Sequence, residues 1–468
     1  MKKYLALLLS VLMLLGLAAC GGDEAADSTT APVEAVPTLR VGYGRVCTTP
    51  KNPVALTHSQ QATYTAVYED VYMTCVAISD AQDGTLLLLT ADLSHMTDSL
   101  KNNVIRGVSK ETGVPEENIS LSVTHNHSGV DPTGSQLTLL ENAAKESAAQ
   151  ALEDCSAAEL YIGCAYPENM NFVRHYTTKD GYWVGDNYYS PTGSSSAAHE
   201  RDADATMQLM KFDRQGKKSV LMINWQAHGV YSYFLEHLCA DFVGSFRAEI
   251  ESNTDCLTAY YQGAAGNLNC WSNLGKNNVA DRTLGGMTIY GKALAQYPIA
   301  ALDSLEKVDT GEVKVVTSTY TAKVHKDDPE VVMAANNYRM VIENGGTDAE
   351  AVVAANNLIH GMPGATRVMY RTDLGDSSDI PISAASVGSI AFVRVPYEMF
   401  DDSGVAIREG SPFEMTFVLG YTNGNFGYIP SRTCFEHGCY EQENGSYVVE
   451  AAEELVASYL ELLNDLSK

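Results

Sequence analysis

The sequence predicts an α/β fold: mixed, largely buried sheets flanked by helices, with the functional site at the carboxyl ends of strands. Three observations carry this. Apolar runs of strand length, such as Thr85 to Thr90 and Ser219 to Trp225, recur along the chain. A helix-patterned segment, Ser94 to Glu111, separates the first of these from Ile119 to Val123. That is the spacing of a βαβ unit, and of a mainly parallel sheet at that point. Finally, residues able to bind metal or move protons directly follow apolar strands: His125 and His127, His228, and Glu398.

The chain has 468 residues, 45% of them hydrophobic, which suits a folded chain with a sizeable core. Formal net charge is -27, from 58 acidic against 31 basic residues. So acidic a surface argues against nucleic acid as a partner and against attraction to anionic lipid headgroups. A neutral lipid or peptide-like substrate stays open.

Lys2 and Lys3 precede an apolar run from Tyr4 to Leu15, which ends in Leu17-Ala18-Ala19-Cys20-Gly21. This is the layout of a signal peptide, too short for a permanent membrane span. Leu-Ala-Ala-Cys resembles the bacterial lipobox, which implies cleavage before Cys20, acylation of its thiol, and an extracytoplasmic protein anchored to the cell membrane. Residues 21–37 lack apolar periodicity and are expected to form a flexible acidic tether, with the folded domain spanning 38–468. Of the remaining cysteines, Cys155 with Cys164 and Cys434 with Cys439 are close enough in sequence to be disulfide candidates.

Taken in order, Val71 to Ile78 is a strand, the turn Asp80 to Gly84 follows it, and Thr85 to Thr90 is a buried strand. The helix at Ser94 to Glu111 carries Leu100, Val104, Ile105 and Val108 at helical spacing and stops at Gly113. Leu137 to Leu152 is a second helix. Tyr176 to Trp183 reads as a hairpin around Asp180-Gly181, and Ser190 to Ala198 as a polar loop. Ser219 to Trp225 and Leu257 to Tyr261 are core strands, and Val313 to Val324 alternates like an exposed one. Glu330 to Glu343 and Ala349 to His360 are helical, within an expected insertion at 326–385. Ser389 to Val395 and Met415 to Gly420 are again core strands, and Ala451 to Leu463 is a closing helix.

The chemistry concentrates at strand ends. Side chains alternate along a strand, so His125 and His127 point the same way if extended geometry persists. They can share a metal, or one can ligate while the other handles a proton; read alone, they are also compatible with surface histidines. His228 alone is compatible with a satisfied core histidine, and Glu398 with a solvated carboxylate. Their shared position after apolar strands favours convergence.

Several segments resemble the neutral (alkaline, non-lysosomal) ceramidases, zinc amidases that cleave the N-acyl bond of ceramide. Thr124-His125-Asn126-His127-Ser128-Gly129 is similar to their Thr-His-Thr-His-Ser-Gly motif, and Asn224-Trp225-Gln226-Ala227-His228 to their Asn/Ser-Trp-Phe-Ala-x-His segment. Pro396-Tyr397-Glu398 with Gly404, Asn423 to Tyr428, and Tyr440-Glu441 keep further family spacings. The resemblance runs from about Val41 to Glu441. It implies zinc as the cofactor, ligated by His125, His228, Glu398 and Tyr428, with His127, Arg174 and Tyr440 contacting the substrate or the developing oxyanion. For Tyr428, a buried hydrogen-bonded tyrosine is the alternative.

Two neutral imidazoles and a carboxylate leave zinc able to activate water against an amide carbonyl, and His127 stands ready to protonate the departing amine. The chain departs from the family at Ser128-Gly129-Val130-Asp131-Pro132, where the ceramidases have Ser-Gly-Pro-Gly-Gly, and at Asn267, where they have an acid. Their C-terminal immunoglobulin-like domain is not expected in this chain. The function expected is hydrolysis of a small or lipid N-acyl amide, ceramide included, or of an ester, with the membrane reached only through the lipid anchor. A solute-binding lipoprotein of a transporter, or a catalytically impaired protein of ceramidase fold, are the competing readings.

Overall fold

The run Thr85–Ala91 is buried on both faces, so it can only be an interior strand. It pairs antiparallel with Tyr72–Ser79 and parallel with Ile119–Val123. In the computed structural model, which describes residues 39–57, 63–178, 183–185, 198–233, 235–275 and 278–468, these strands belong to a nine-stranded sheet. Its order is Cys256–Gln262, Ser219–Trp225, Met207–Arg214, Ser156–Ala165, Arg40–Cys47, Tyr72–Ser79, Thr85–Ala91, Ile119–Val123, with Glu306–Val308 beside Ser156–Ala165. A second sheet of four strands runs Val313–Lys323, Ser377–Val387, Ile390–Arg394, Met415–Leu419.

The two sheets pack face to face. Val41, Ile78, Leu86, Leu88, Phe212 and Tyr261 of the first share one buried cluster with Ala385, Phe392 and Phe417 of the second. Helices close the outer faces. Asp98–Thr112 and Ser135–Glu153 lay Leu100, Val104, Leu140 and Ala144 on Leu87, Leu89 and Leu121. Phe242–Asn253 and Leu284–Ala301 cover Leu221, Ile223 and Tyr260 with Phe246, Met287 and Leu294. Ala451–Leu466 sets Leu455, Tyr459 and Leu463 on Ala391 and Val393 of the second sheet. The layers are therefore helix, sheet, sheet, helix, the α/β class expected from the sequence.

Local chemistry explains the element ends. The Thr97 side chain caps Asp98–Thr112 by accepting from the Leu100 amide, and Gly113 ends it in the left-handed region at φ 78°. Asp80 builds its turn by accepting from the amides of Gln82 and Gly84, each at 2.8 Å. Gly42 and Gly44 admit the helix Ser135–Glu153 against the strand they lie on. A Cβ at these positions would stand 1.8 Å from the Ala151 carbonyl oxygen and 2.1 Å from that of Ser147.

Four expectations need correction. The large sheet is not mainly parallel: across the two sheets only the pairings Thr85–Ala91 with Ile119–Val123, Ser219–Trp225 with Cys256–Gln262, and Ile390–Arg394 with Met415–Leu419 are parallel among the described residues. Short turns such as Asp80 to Gly84 return the chain antiparallel, whereas a parallel step needs a long crossover. The helical segment holds three helices, Pro329–Glu343, Asp348–Ala354 and Met362–Asp373, where two were expected, because Gly361 and Pro363 start a third. It also ends earlier than residue 385, since Ser377–Val387 pairs along its whole length with Val313–Lys323. The polar first half of that strand hid its signal.

The fourth correction concerns cysteines. Cys434 and Cys439 are bridged, but Cys155 and Cys164 are both free. An extended strand, Ser156–Ala165, separates them, and at about 3.3 Å per residue its ends lie far beyond disulfide reach. For the hairpin expected at Tyr176 to Trp183, the flanks His175–Thr177 and Trp183–Gly185 pair antiparallel. Its turn, most of the loop expected at Ser190 to Ala198, and the expected leader and tether lie outside the described residues.

Candidate metal centre

Each of the three parallel pairs delivers its carboxyl ends to the same place. Ile119–Val123 leads to His125 and His127, Ser219–Trp225 to His228, and Ile390–Arg394 to Glu398. Backbone bonds stitch these loops together: His127 N donates to Gly229 O at 2.9 Å, His228 N to Leu268 O at 3.0 Å, and Glu398 N to Gly427 O at 2.9 Å. Glu398 stands opposite Tyr428 in a short parallel pair. The two histidines do not converge by strand alternation, as the sequence suggested. The strand stops at Val123, and His125 turns left-handed at φ 58°, a strained conformation for a residue with a Cβ. That turn brings His127 Nε2 to 3.1 Å from His125 Nε2.

The donor atoms form a compact set. Glu398 Oε2 lies 3.6 Å from His125 Nε2 and 3.5 Å from His228 Nε2. The Tyr428 hydroxyl lies 3.4 Å from His228 Nε2. Four ligands around tetrahedral zinc, with bonds of 2.0 to 2.1 Å, stand about 3.3 Å apart, so these separations fit such an ion. Both imidazoles are oriented from behind. His125 Nδ1 donates to the Ser94 carbonyl at 2.7 Å and His228 Nδ1 to the Leu268 carbonyl at 2.9 Å, which leaves each Nε2 as the ligating atom. Burial, and then the charge of Arg174, push the His228 pKa down to about 3, so its ring is neutral as a ligand must be. His127 Nε2 also belongs to the cluster and is an alternative fourth donor to Tyr428.

Arg174 and Tyr440 border the set. The Arg174 guanidinium donates to the Tyr428 hydroxyl at 3.1 Å and to the Gly266 carbonyl at 2.8 Å. It also lies over the Tyr440 ring, 5.7 Å from the centroid. Its Nε meets Glu441 Oε1 at 2.5 Å, and Glu441 Oε2 meets His175 Nε2 at 3.1 Å. Burial opposes the charge on Glu441, but Arg174 and His175 prevail and bring its pKa down to about 2. Burial likewise opposes the charge on His175, yet Glu441 and Glu200 raise it to about 9. Burial pushes Tyr440 up to about 12 and Tyr428 well above the usual phenol value. Tyr440 is therefore a hydroxyl donor at neutral pH.

All the residues singled out in the sequence thus meet around one point. A second group of possible ligands, His175, Cys434, Cys439 and Glu441, also converges. There the disulfide occupies both sulfurs, and the carboxylate serves Arg174.

No family model and no curated protein matches this sequence. Among solved structures, neutral ceramidase from Pseudomonas aeruginosa superposes with a TM-score of 0.68 at 16% identity, over 92% of this chain and 74% of that one. A ceramidase complexed with C2 gives 0.67 at 16% identity, over 92% and 75%. The chain has the neutral ceramidase fold.

Within that fold, Asn267 is explained by its neighbour. Its side chain donates to Asp401 Oδ1 at 2.7 Å and accepts from the Asp401 amide at 3.0 Å, while its own carbonyl accepts from Arg174 N at 3.0 Å. An acid here would face the Asp401 carboxylate. The divergent loop after Ser128 is held by a backbone bridge between Leu56 and Val130.

Several further groups at this centre carry little or no signal in the sequence. Tyr421 stacks on His125 with centroids 4.0 Å apart, and its hydroxyl reaches Glu398 Oε2 at 3.3 Å. Tyr421 directly follows a core strand and Gly420, so the strand-end criterion that found His228 would have found it. Glu441 was visible only as the neighbour of Tyr440, and His175 only as the neighbour of Arg174. The Ser94 and Leu268 carbonyls carry no sequence signal at all.

Proposed function

We propose that this protein is a metal-dependent hydrolase of linear N-acyl amides, ceramidase-like, with zinc held by His125, His228, Glu398 and Tyr428. The observation that carries the reading is the meeting of both Nε2 atoms on Glu398 Oε2, at 3.6 and 3.5 Å, with each ring's other nitrogen bonded to a backbone carbonyl. Zinc bound there would supply Lewis acidity, to polarise a carbonyl and to lower the pKa of water to about 7.

The chain's own residues supply the rest. Arg174, fixed by Glu441, presents a permanent positive charge where an oxyanion develops, and Tyr440 adds a hydroxyl from the same side. His127, partly accessible and beside the donor set, gives the proton to the departing amine. The Tyr421 ring packs on His125 and shields that side of the centre from water. In the same reading, Cys20 is acylated and the domain works on the outer face of the cell membrane, where an amphiphilic amide such as a ceramide is within reach.

Purified 38–468 is to be assayed for bound metal and for hydrolysis of fluorescent ceramide beside a panel of short N-acyl amides and esters. Turnover lost on chelation and restored by zinc supports the reading. Undiminished turnover in metal-free protein, or saturable binding with no turnover of any substrate, overturns it. Cleavage of esters alone would change the reaction class and keep the centre.

A further inference from the structure

Two arginines one turn apart on the helix Met362–Asp373 have opposite circumstances. Arg371 is buried and fully answered: it forms a bidentate pair with Asp327, at 2.7 Å for each nitrogen, and donates to the carbonyls of Glu443 and Gly445. Arg367 is half-buried and, among the described residues, makes no ion pair. It lies over the Tyr370 ring, 5.2 Å from the centroid, and donates to the Ser446 hydroxyl at a long 3.4 Å. Glu443, which lies against Gly364 on the same helix, pairs with His360 at 3.6 Å.

The position of Arg367 is what gives this meaning. Its guanidinium lies against Gly427, where a Cβ would stand 3.2 Å from Nη2. Gly427 precedes Tyr428, and its carbonyl accepts the Glu398 amide at 2.9 Å. The unanswered cation is therefore one residue behind two of the proposed metal ligands. Burial lowers its pKa, and the carboxylate whose charge is felt there is that of Glu398. Once Glu398 binds a dication, its charge is neutralised, and Arg367 is left beside the centre with no counterion. A half-buried guanidinium without an anion is unfavourable unless a ligand brings one, and its planar fork matches a carboxylate.

We infer that Arg367 is a specificity-determining residue that recognises a carboxylate on the substrate, so that the preferred amides are N-acyl amino acids. This rests on the hydrolase reading above and narrows its substrate class. The helical segment 329–373 then serves to carry this cation to the centre.

The test uses a charge-differing pair of similar size, N-dodecanoylglycine and N-dodecanoylethanolamine, on the zinc-loaded protein. The ratio of kcat/KM, glycine conjugate over ethanolamide, should exceed about 10 in wild type and fall by about 10- to 100-fold in Arg367→Gln. Arg367→Lys should keep part of the ratio, and Arg367→Glu should invert it. Calorimetric binding of the two compounds to metal-free protein gives a readout independent of turnover; the same order is expected, with a smaller difference because no dication neutralises Glu398 there. Equal kcat/KM for the two compounds in wild type, or a parallel fall in both with the ratio unchanged, overturns this inference and leaves the hydrolase reading standing. Charge-selective binding lost in Arg367→Gln, with neither compound hydrolysed, supports the anion site and overturns the hydrolase reading.

Discussion

Arg174 and Glu441, 267 residues apart in the chain, meet at 2.5 Å with both side chains buried. The carboxylate does not touch the proposed metal ligands. It fixes the guanidinium that does, since Arg174 reaches both Tyr428 and His228.

Glu441→Gln should therefore keep zinc but lose turnover, by about 10²-fold or more, because the guanidinium loses the anion that orients it. Arg174→Met should show a similar loss in kcat. Metal content measured beside steady-state kinetics separates this outcome from collapse of the centre. Loss of zinc together with activity in Glu441→Gln would place the carboxylate in the metal site itself.

Removing a ligand should act differently. His125→Ala and His228→Ala should each abolish both bound zinc, expected at about one per chain, and hydrolysis. Tyr428→Phe decides the fourth position. If zinc content survives there and falls in His127→Ala, His127 and not Tyr428 completes the set.

Asn267→Asp sets a carboxylate against Asp401, where the amide now donates at 2.7 Å. A destabilisation of about 2 to 5 kcal/mol is expected, partly relieved as pH falls and one of the two acids takes up a proton. Chemical denaturation at two pH values measures it. A neutral effect would mean that the acid is tolerated and that Asn267 has no structural reason to be there.

His175 gives a pH signature. Its pKa is raised from the ordinary value of 6.5 to about 9 in the folded chain, so the folded state binds the proton more tightly than the unfolded one. Its contribution to stability is complete below about 6.5 and is lost as pH rises through about 9. Wild type should thus lose a few degrees of Tm across that window, and His175→Gln should lose less. Glu441, with its pKa down at about 2, has the opposite sign: its contribution is complete above about 4.5 and is lost as pH falls through about 2.

The sequence by itself determined the strands, most of the helices and the residue types of the proposed ligands. Apolar runs such as Thr85 to Thr90 must be buried whatever they pair with, and His125, His228 and Glu398 were marked because they follow such runs. The tertiary structure decided direction, orientation and charge. Whether a strand pairs parallel depends on its connections, which a local period of two does not record. The facing of His125 and His127 depends on one left-handed residue, and the orientation of the imidazoles on the carbonyls of Ser94 and Leu268. The charge balance depends on partners hundreds of residues away: Glu441 answers Arg174, Asp327 answers Arg371, and Arg367 is left without a counterion among the described residues. Periodicity is a property of neighbours along the chain, whereas electrostatics falls off with distance through space, and only folding turns one into the other.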